Sequence, residues 1–309
     1  MIANFHLPVM VDAVLELLIT RKDGVYVDGT LGGGGHAEKI LENLSPQGKL
    51  IGFDVDSEAM AFAQNRLRRF GDQVIYFREN FSNIRSVTAK LNPAGINGLL
   101  LDLGISSHQV DDPVRGFSFQ TNNRLDMRMD QDMTTTGQKI INEYSQEQLT
   151  KIFQNFGEER FSRRIAKNIV NHRLKKMIET TGELSNIVEY VVGKRFLNKS
   201  LARIFQAIRI EVNEELYHLQ RTLSESLGLL IPGGRMAVIS YHSLEDRIVK
   251  NFFKKESETR IPSGNKLLPD KLKEPVLSII TKKPIIASEK ETMDNPRARS
   301  AKLRVAERL

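Results

Sequence analysis

Three carboxylates, a run of glycines and a Tyr-His pair are the residues of this sequence best placed to do chemistry. Asp28-Gly-Thr-Leu leads into Gly32, Gly33, Gly34, Gly35 and then His36. Four consecutive glycines let the backbone approach a ligand with no Cβ in the way, and they permit positive φ. No Lys-Ser/Thr pair follows them, so a phosphate loop of the P-loop kind is excluded. Gly32, Gly34 and Ala37 also fit the dinucleotide spacing G-x-G-x-x-A, with Asp54 twenty residues past Gly34. An acid there accepts hydrogen bonds from a ribose diol, which NAD and S-adenosylmethionine share. Asp28 separates the two, since a carboxylate facing a pyrophosphate is unfavourable, whereas one facing the methionyl ammonium is favourable. Asn80-Phe81 and Asp102 lie where adenine and the rest of such a nucleoside would be held. The methyl donor is the better reading, with an NAD-dependent oxidoreductase as the alternative.

These residues sit on a strand–helix alternation. Apolar runs predict strands over 24–28, 49–54, 73–77 and 98–102, with helices over 36–44 and 57–70. Such spacing implies a parallel sheet with ligands at the strand ends. From about 109 to 211 the strand grammar stops, and helices are predicted over 146–156, 158–176 and 184–193. A long helix follows, with the stripe Ile204, Ile208, Val212, Leu216, Leu219, Leu223 and Leu227. After the turn Pro232-Gly233-Gly234 come a strand over 235–240 and a helix over 244–255, with Ser243 as its predicted cap. A surface loop over 254–275, short strands over 276–280 and 285–287, and an edge strand over 303–306 complete the pattern. The expected domains are a core in two segments, 1–109 and 212–309, with an inserted helical domain over 110–211.

The chain has 309 residues, 40% hydrophobic and 27% charged, the mix of an ordinary globular protein. It has no cysteine, which excludes disulfides, thiolate metal sites and cysteine nucleophiles and suits a reducing cytoplasm. No apolar run reaches the roughly 20 residues of a membrane span. Residues 1–19 carry His6, Asp12 and Glu16 within an apolar pattern and read as an amphipathic helix rather than a signal peptide. The net charge of +7 suits a polyanionic partner.

Several stretches resemble the RsmH (MraW) family of methyltransferases across nearly the whole chain. They run from His6-Leu-Pro8-Val9 and Asp28–His36 through Asn80–Asn83, Asp102–Ser107, Arg115–Ser118 and Leu125–Asp130. Glu159-Arg-Phe161 with Arg163–Ala166, then Phe205–Asn213, Ser240–Ile248 and Asn295–Arg304 complete them. The resemblance implies a class I S-adenosylmethionine-dependent methyltransferase, that is, a Rossmann-like parallel sheet with an inserted all-helical domain. It also implies transfer to the exocyclic N4 of a cytidine in the decoding centre of 16S rRNA. The cofactor residues it implies are Gly33, Gly35, His36, Ala37, Asp54, Phe81, Asp102 and Gln109. Two positions depart from the family pattern, namely His108 where Pro is usual and Leu201-Ala202 where Ala-Thr is usual.

Cytosine N4 is a poor nucleophile because its lone pair is delocalised, so an enzyme must orient it, accept its N–H and exclude water. The donor sulfonium is already activated, and no metal is expected. Asp102 is followed by Leu103-Gly104 instead of the Pro-Pro-aromatic turn common in amino-methyltransferases. The expected catalytic residues are therefore Ser107, in the loop after the fourth strand, and Tyr241 and His242 after the fifth. Two basic surfaces are candidates for RNA contact. One is the helical face of Arg160, Arg164, Lys167, Asn171 and Lys175; the other is the terminal set Arg297, Arg299, Lys302, Arg304 and Arg308. No aromatic platform is evident, which favours folded RNA or a ribosomal particle over a single strand. The expected partner is 16S rRNA in the small subunit or a late precursor, bound by a cytoplasmic monomer or homodimer. A non-catalytic ribosome-assembly protein on the same fold is the alternative from another class.

Overall fold

The computed structural model describes residues 8–92, 94–261, 263–264 and 269–309, with only the backbone of residues 89 and 107. The chain divides into two compact units, Met1–Gly104 with Leu216–Leu309, and Ile105–Glu215.

The first unit opens with α1 (Val11–Leu18), β1 (Val25–Asp28), α2 (Gly35–Asn43), β2 (Lys49–Phe53), α3 (Ser57–Leu67), β3 (Val74–Phe77), α4 (Ile84–Leu91) and β4 (Ile96–Asp102). The second unit holds α5 (Ser107–Asp111), α6 (Gly137–Glu143), α7 (Gln146–Asn155), α8 (Ser162–Arg173), α9 (Thr181–Val192) and α10 (Leu197–Asn213). The first unit resumes along α11 (Glu215–Ser226), then β5 (Leu230–Ser240) and α12 (Ser243–Ser257). A two-stranded ribbon, β6 (Arg260–Ile261) and β7 (Lys271–Leu272), precedes β8 (Leu277–Ile279), β9 (Ile285–Ile286), α13 (Glu289–Asp294) and β10 (Lys302–Arg308).

The main sheet runs β3-β2-β1-β4-β5-β10-β8, with β9 also on β10. Strands β1 to β5 pair in parallel, and β10 is antiparallel to β5, β8 and β9. This is a Rossmann-like, mostly parallel sheet, as the strand–helix alternation implies. Its strand order reverses between β1 and β4, the switch point at which open α/β sheets bind ligands. Strand alternation divides the core into two layers. Leu100, Ile239 and Leu303 pack with α1, α2 and α3, while Leu99, Leu101, Met236 and Val238 pack with α4, α11 and α12. Both faces are covered, which is why Leu99-Leu100-Leu101 within β4 form an unbroken apolar run.

In the second unit α10 is the hub. Ile204, Phe205 and Ile208 pack with Leu149 and Phe153 of α7, Ile165 and Ile169 of α8, and Leu184 and Val188 of α9. The predicted long helix is two helices, because Glu214 adopts φ 48°, in the left-handed region. The buried Asn213 side chain accepts from Met129 N–H (2.8 Å) and donates to the carbonyls of Met127 (2.8 Å) and Arg209 (2.9 Å). The apolar stripe crosses this break unchanged, so periodicity alone does not reveal it. The predicted helix over 158–176 starts only at Ser162, since Glu158 has φ 49° and the buried Glu159 carboxylate accepts from Phe161 N–H.

Other expectations change as well. The last strand is interior, not an edge, because β10 has β5 on one side and β8 and β9 on the other. Among residues 8–19 the helix begins at Val11, and Met10 N–H donates to Glu291 Oε1 at 2.6 Å. Residues 1–7 of the expected N-terminal helix, and residues 262 and 265–268 of the expected loop, lie outside the described residues. Among the described residues no helix is long and apolar enough to cross a membrane.

Candidate functional site

The C-terminal ends of four adjacent parallel strands carry the candidate chemistry. Asp28 ends β1, Asp54 follows β2, Asp102 ends β4, and Tyr241-His242 follow β5. Between β1 and α2 the glycine turn takes the bend that its composition allows, with Gly32 at φ 50° and Gly34 at φ 74°. A Cβ on Gly35 would come within 3.2 Å of the Pro8 ring, so Pro8 lies directly against the first turn of α2. Gly33 is buried, and its carbonyl accepts from Arg66 at 3.2 Å. His36 and Ala37 are buried in the first turn of α2.

Hydrogen bonds set the carboxylates. Asp54 accepts from Gly32 N–H through Oδ2 (2.7 Å) and from Asp56 N–H through Oδ1 (2.8 Å), tying the glycine turn to the end of β2. Asp102 N–H donates to Thr30 Oγ1 (2.6 Å), Tyr241 Oη donates to Asp102 Oδ1 (2.8 Å), and His36 Nε2 lies 3.4 Å from Asp102 Oδ2. Asp102 is thus held from three elements, its backbone by Thr30 and its carboxyl by Tyr241 and His36. Phe81 follows β3 beside the turn; a Cβ on Gly29 would lie 3.2 Å from the Phe81 Cβ.

Asp28 is the unusual member. It is 1% exposed; Oδ1 accepts from Thr30 N–H (3.1 Å), while Oδ2 is buried with no hydrogen-bond partner. Burial pushes its carboxyl up to about 7, opposed by the nearby His36. Burial likewise raises Asp54 to about 6, against the backbone N–H groups of Asp56 and Gly32 that favour its anion. For His36, burial disfavours the imidazolium, yet Asp102 and Asp28 outweigh it and raise the pKa above the ordinary value. Burial first, then Asp102, holds the Tyr241 hydroxyl far above its usual range, so it remains a donor at neutral pH. A cluster of carboxylates with one unsatisfied buried oxygen suits a ligand that brings a cation. Asp28 could hold an ammonium, Asp54 a diol, and the glycine turn a closely approaching chain.

His242, not Ser243, caps α12. Its Nδ1 accepts from Glu245 N–H (3.4 Å), and the buried Glu245 Oε2 accepts from the N–H groups of Tyr241 (2.9 Å) and His242 (3.2 Å). Its Nε2 lies 3.2 Å from Glu245 Oε1. This is a capping box with histidine in the place usually taken by Ser or Thr, so the usual sequence signature does not reveal it. Sequence reasoning also passed over Thr30 and Glu245. For Glu245, the only signal is its position three residues after the cap.

Two remaining candidates belong to the second unit. Ser106 caps α5 and forms a capping box with Gln109, which is 6% exposed and accepts from Ser106 N–H at 3.0 Å. The side chain of Ser107 lies outside the described residues. Arg128 pairs bidentately with Asp126 (2.9 and 2.8 Å) as a bridge within this unit. In the first unit, Arg304 is 8% exposed and held by Asp246 at 2.6 Å, with Lys302 at 3.4 Å, so these two terminal cations are engaged within the fold.

The family model for the MraW methylase family matches residues 3–309. The chain belongs to that family. Two curated relatives bear the name ribosomal RNA small subunit methyltransferase H. The one from Heliobacterium mobile is 45% identical over 313 residues, covering 98% of this chain and 99% of its own. The one from Carboxydothermus hydrogenoformans is 46% identical over 306 residues, covering 98% of each. A solved rRNA methylase from Streptococcus thermophilus aligns over 97% of this chain and 93% of its own, at 12% identity and a TM-score of 0.42. Membership decides between the two cofactors that the glycine turn left open: the methylase is an S-adenosylmethionine-dependent methyltransferase, and the oxidoreductase reading is not favoured.

Proposed function

We propose that this methylase modifies the exocyclic N4 of a cytidine in the decoding centre of 16S rRNA, with residues 110–211 as its RNA-recognition domain. The unpartnered, buried Asp28 oxygen beside the glycine turn supports the donor side of this reading most directly. The names carried by relatives more than 40% identical support the RNA side.

S-adenosylmethionine, when bound, supplies a methyl group on a sulfonium that needs no further activation. The residues we assign to it are Asp28 for the ammonium, Asp54 for the ribose diol, Phe81 against adenine, and Gly33, Gly35, His36, Ala37, Asp102 and Gln109 around the rest. The protein's own contribution is then orientation and dryness. Asp102, fixed by Thr30, Tyr241 and His36, is rigid where donor and base would meet. Tyr241 keeps its proton and donates a hydrogen bond to Asp102, and His242 lends Nδ1 to the helix cap. We therefore assign Tyr241 and His242 as positioning residues beside the reacting base, and Ser107, at the start of α5, as a further candidate. Orientation of this kind is worth up to about 7–11 kcal/mol in favourable cases.

The test is incubation of the purified protein with donor and unmethylated small subunits, nuclease digestion, and mass spectrometry of the nucleosides. N4-methylcytidine at a single site is the expected product. Methyl on cytosine C5 or on another base would overturn the assignment, and RNA binding without transfer would favour a non-catalytic assembly factor.

A further inference from the structure

Antiparallel helices α8 and α9 enclose a groove that the site above does not use. Its volume is about 480 Å³, within the range of small-ligand sites. Asn168, Asn171, His172 and Lys175 line it from α8 and the turn beyond, and Asn186 and Tyr190 from α9. Each set recurs at steps of three and four, so two polar faces meet each other. The Tyr190 ring is 83% exposed, on a helix whose other large apolar residues are buried. Among the described residues the side chains of Asn171, Asn186 and Tyr190 have no intramolecular hydrogen-bond partner.

Charge frames the groove. At one end Lys176 pairs with Glu183, leaving Lys175 with no carboxylate partner among the described residues. At the Tyr190 end, Arg164 reaches across to the Val191 carbonyl at 3.3 Å and lies over the Phe161 ring, with exposed Lys167 one position toward the groove along the same face. Arg195 lies over the Phe196 ring just beyond α9. Uncompensated cations at both ends, carboxamides between them and one exposed aromatic ring are a poor setting for an apolar peptide. They match a nucleotide, whose base edge both donates and accepts and whose phosphates are anionic.

We propose that this groove binds a single-stranded segment of the RNA substrate, with one base stacked on Tyr190, its edge read by Asn171 and Asn186, and flanking phosphates on Lys175 and Lys167. The proposal rests on the functional reading above and refines it, replacing the expectation that no aromatic platform exists. The test uses the whole protein with two fluorescein-labelled probes, a mixed-sequence RNA 12-mer and its duplex, read by anisotropy. Tyr190→Ala should weaken single-strand binding about five- to 150-fold, the worth of one stacked base, and change duplex binding by less than about twofold. Tyr190→Phe should restore single-strand binding, and donor binding should be the same in all three proteins. Unchanged single-strand affinity in Tyr190→Ala, equal losses on both probes, or no binding of the single strand by the parent protein would overturn the groove. Methyl transfer to small subunits by the parent protein separates the two levels. If transfer proceeds while the Tyr190 result is negative, only the groove fails; if transfer is absent, the functional reading fails with it.

Discussion

Replacing Asp28 with Asn should stabilise the ligand-free protein at alkaline pH while removing its grip on the donor. A carboxyl raised from 3.8 to about 7 binds its proton more tightly in the fold than in the unfolded chain. Stability therefore falls as pH rises from about 4 through about 7 and then levels off. At about 1.4 kcal/mol per pH unit, the ionised carboxylate costs the fold roughly 4 kcal/mol at pH 8 and roughly 2 at pH 5. Asparagine keeps an oxygen to accept from Thr30 N–H but leaves a buried, unpartnered amide nitrogen, a cost of about 1–3 kcal/mol at either pH. The net expectation is a gain on the order of 1–3 kcal/mol at pH 8 that disappears or reverses at pH 5. Urea unfolding of both proteins at the two pH values measures this directly, with donor binding followed by calorimetry. A variant that is no more stable at pH 8 than at pH 5, relative to the parent, would refute the electrostatic reasoning. So would a variant that bound the donor normally.

Donor affinity of the parent should strengthen about tenfold per pH unit up to about 7, where Asp28 ionises, and weaken above about 8 as an α-amino group loses its proton; calorimetric titration across pH 5.5–9 (about seven points) checks it. His242→Ala should lose about 1 kcal/mol of stability and slow transfer, whereas His242→Asn should keep the cap and recover the stability. If His242→Ala transferred methyl at the parent rate, its positioning role would be lost. Asn213→Ala leaves the Met129 N–H and the Met127 and Arg209 carbonyls without their partner, and should cost about 2–4 kcal/mol in urea unfolding. Arg164→Gln with Lys167→Gln should lower the salt slope of RNA binding by about 1.5, and an unchanged slope would remove this face from phosphate contact.

The parallel strands were legible because a strand covered on both faces must be a continuous apolar run, as Leu99-Leu100-Leu101 is. The glycine turn and its acids were legible because few other arrangements put four glycines between a strand and a helix. What escaped depended on tertiary partners. The stripe from Ile204 to Leu227 is the same for one helix or two, and only the bonds of Asn213 across to Met127 and Met129 mark the break. A short apolar run such as 303–306 carries no sign of how many neighbours it has, so its sequence does not tell an interior strand from an edge. Ser243 looked like the cap because serine caps more often than histidine, and the deciding contact comes from the buried Glu245. Nothing in the sequence marks Tyr190, because exposure is not written in a residue's type. Asp28 was recognised as the discriminator between cofactors, but its unpartnered oxygen emerges only from the packing.

Binding of two sulfur nucleosides tests the central claim most directly. S-adenosylhomocysteine and its analogue without the amino group, titrated into the protein at pH 7.5 (between the ionisation of Asp28 at about 7 and the amine's loss of charge above about 8), differ only in the cation assigned to Asp28. Loss of the amine should weaken binding at least about a hundredfold in the parent, with almost no difference in Asp28→Asn. Equal affinity of the parent for both nucleosides would contradict the account.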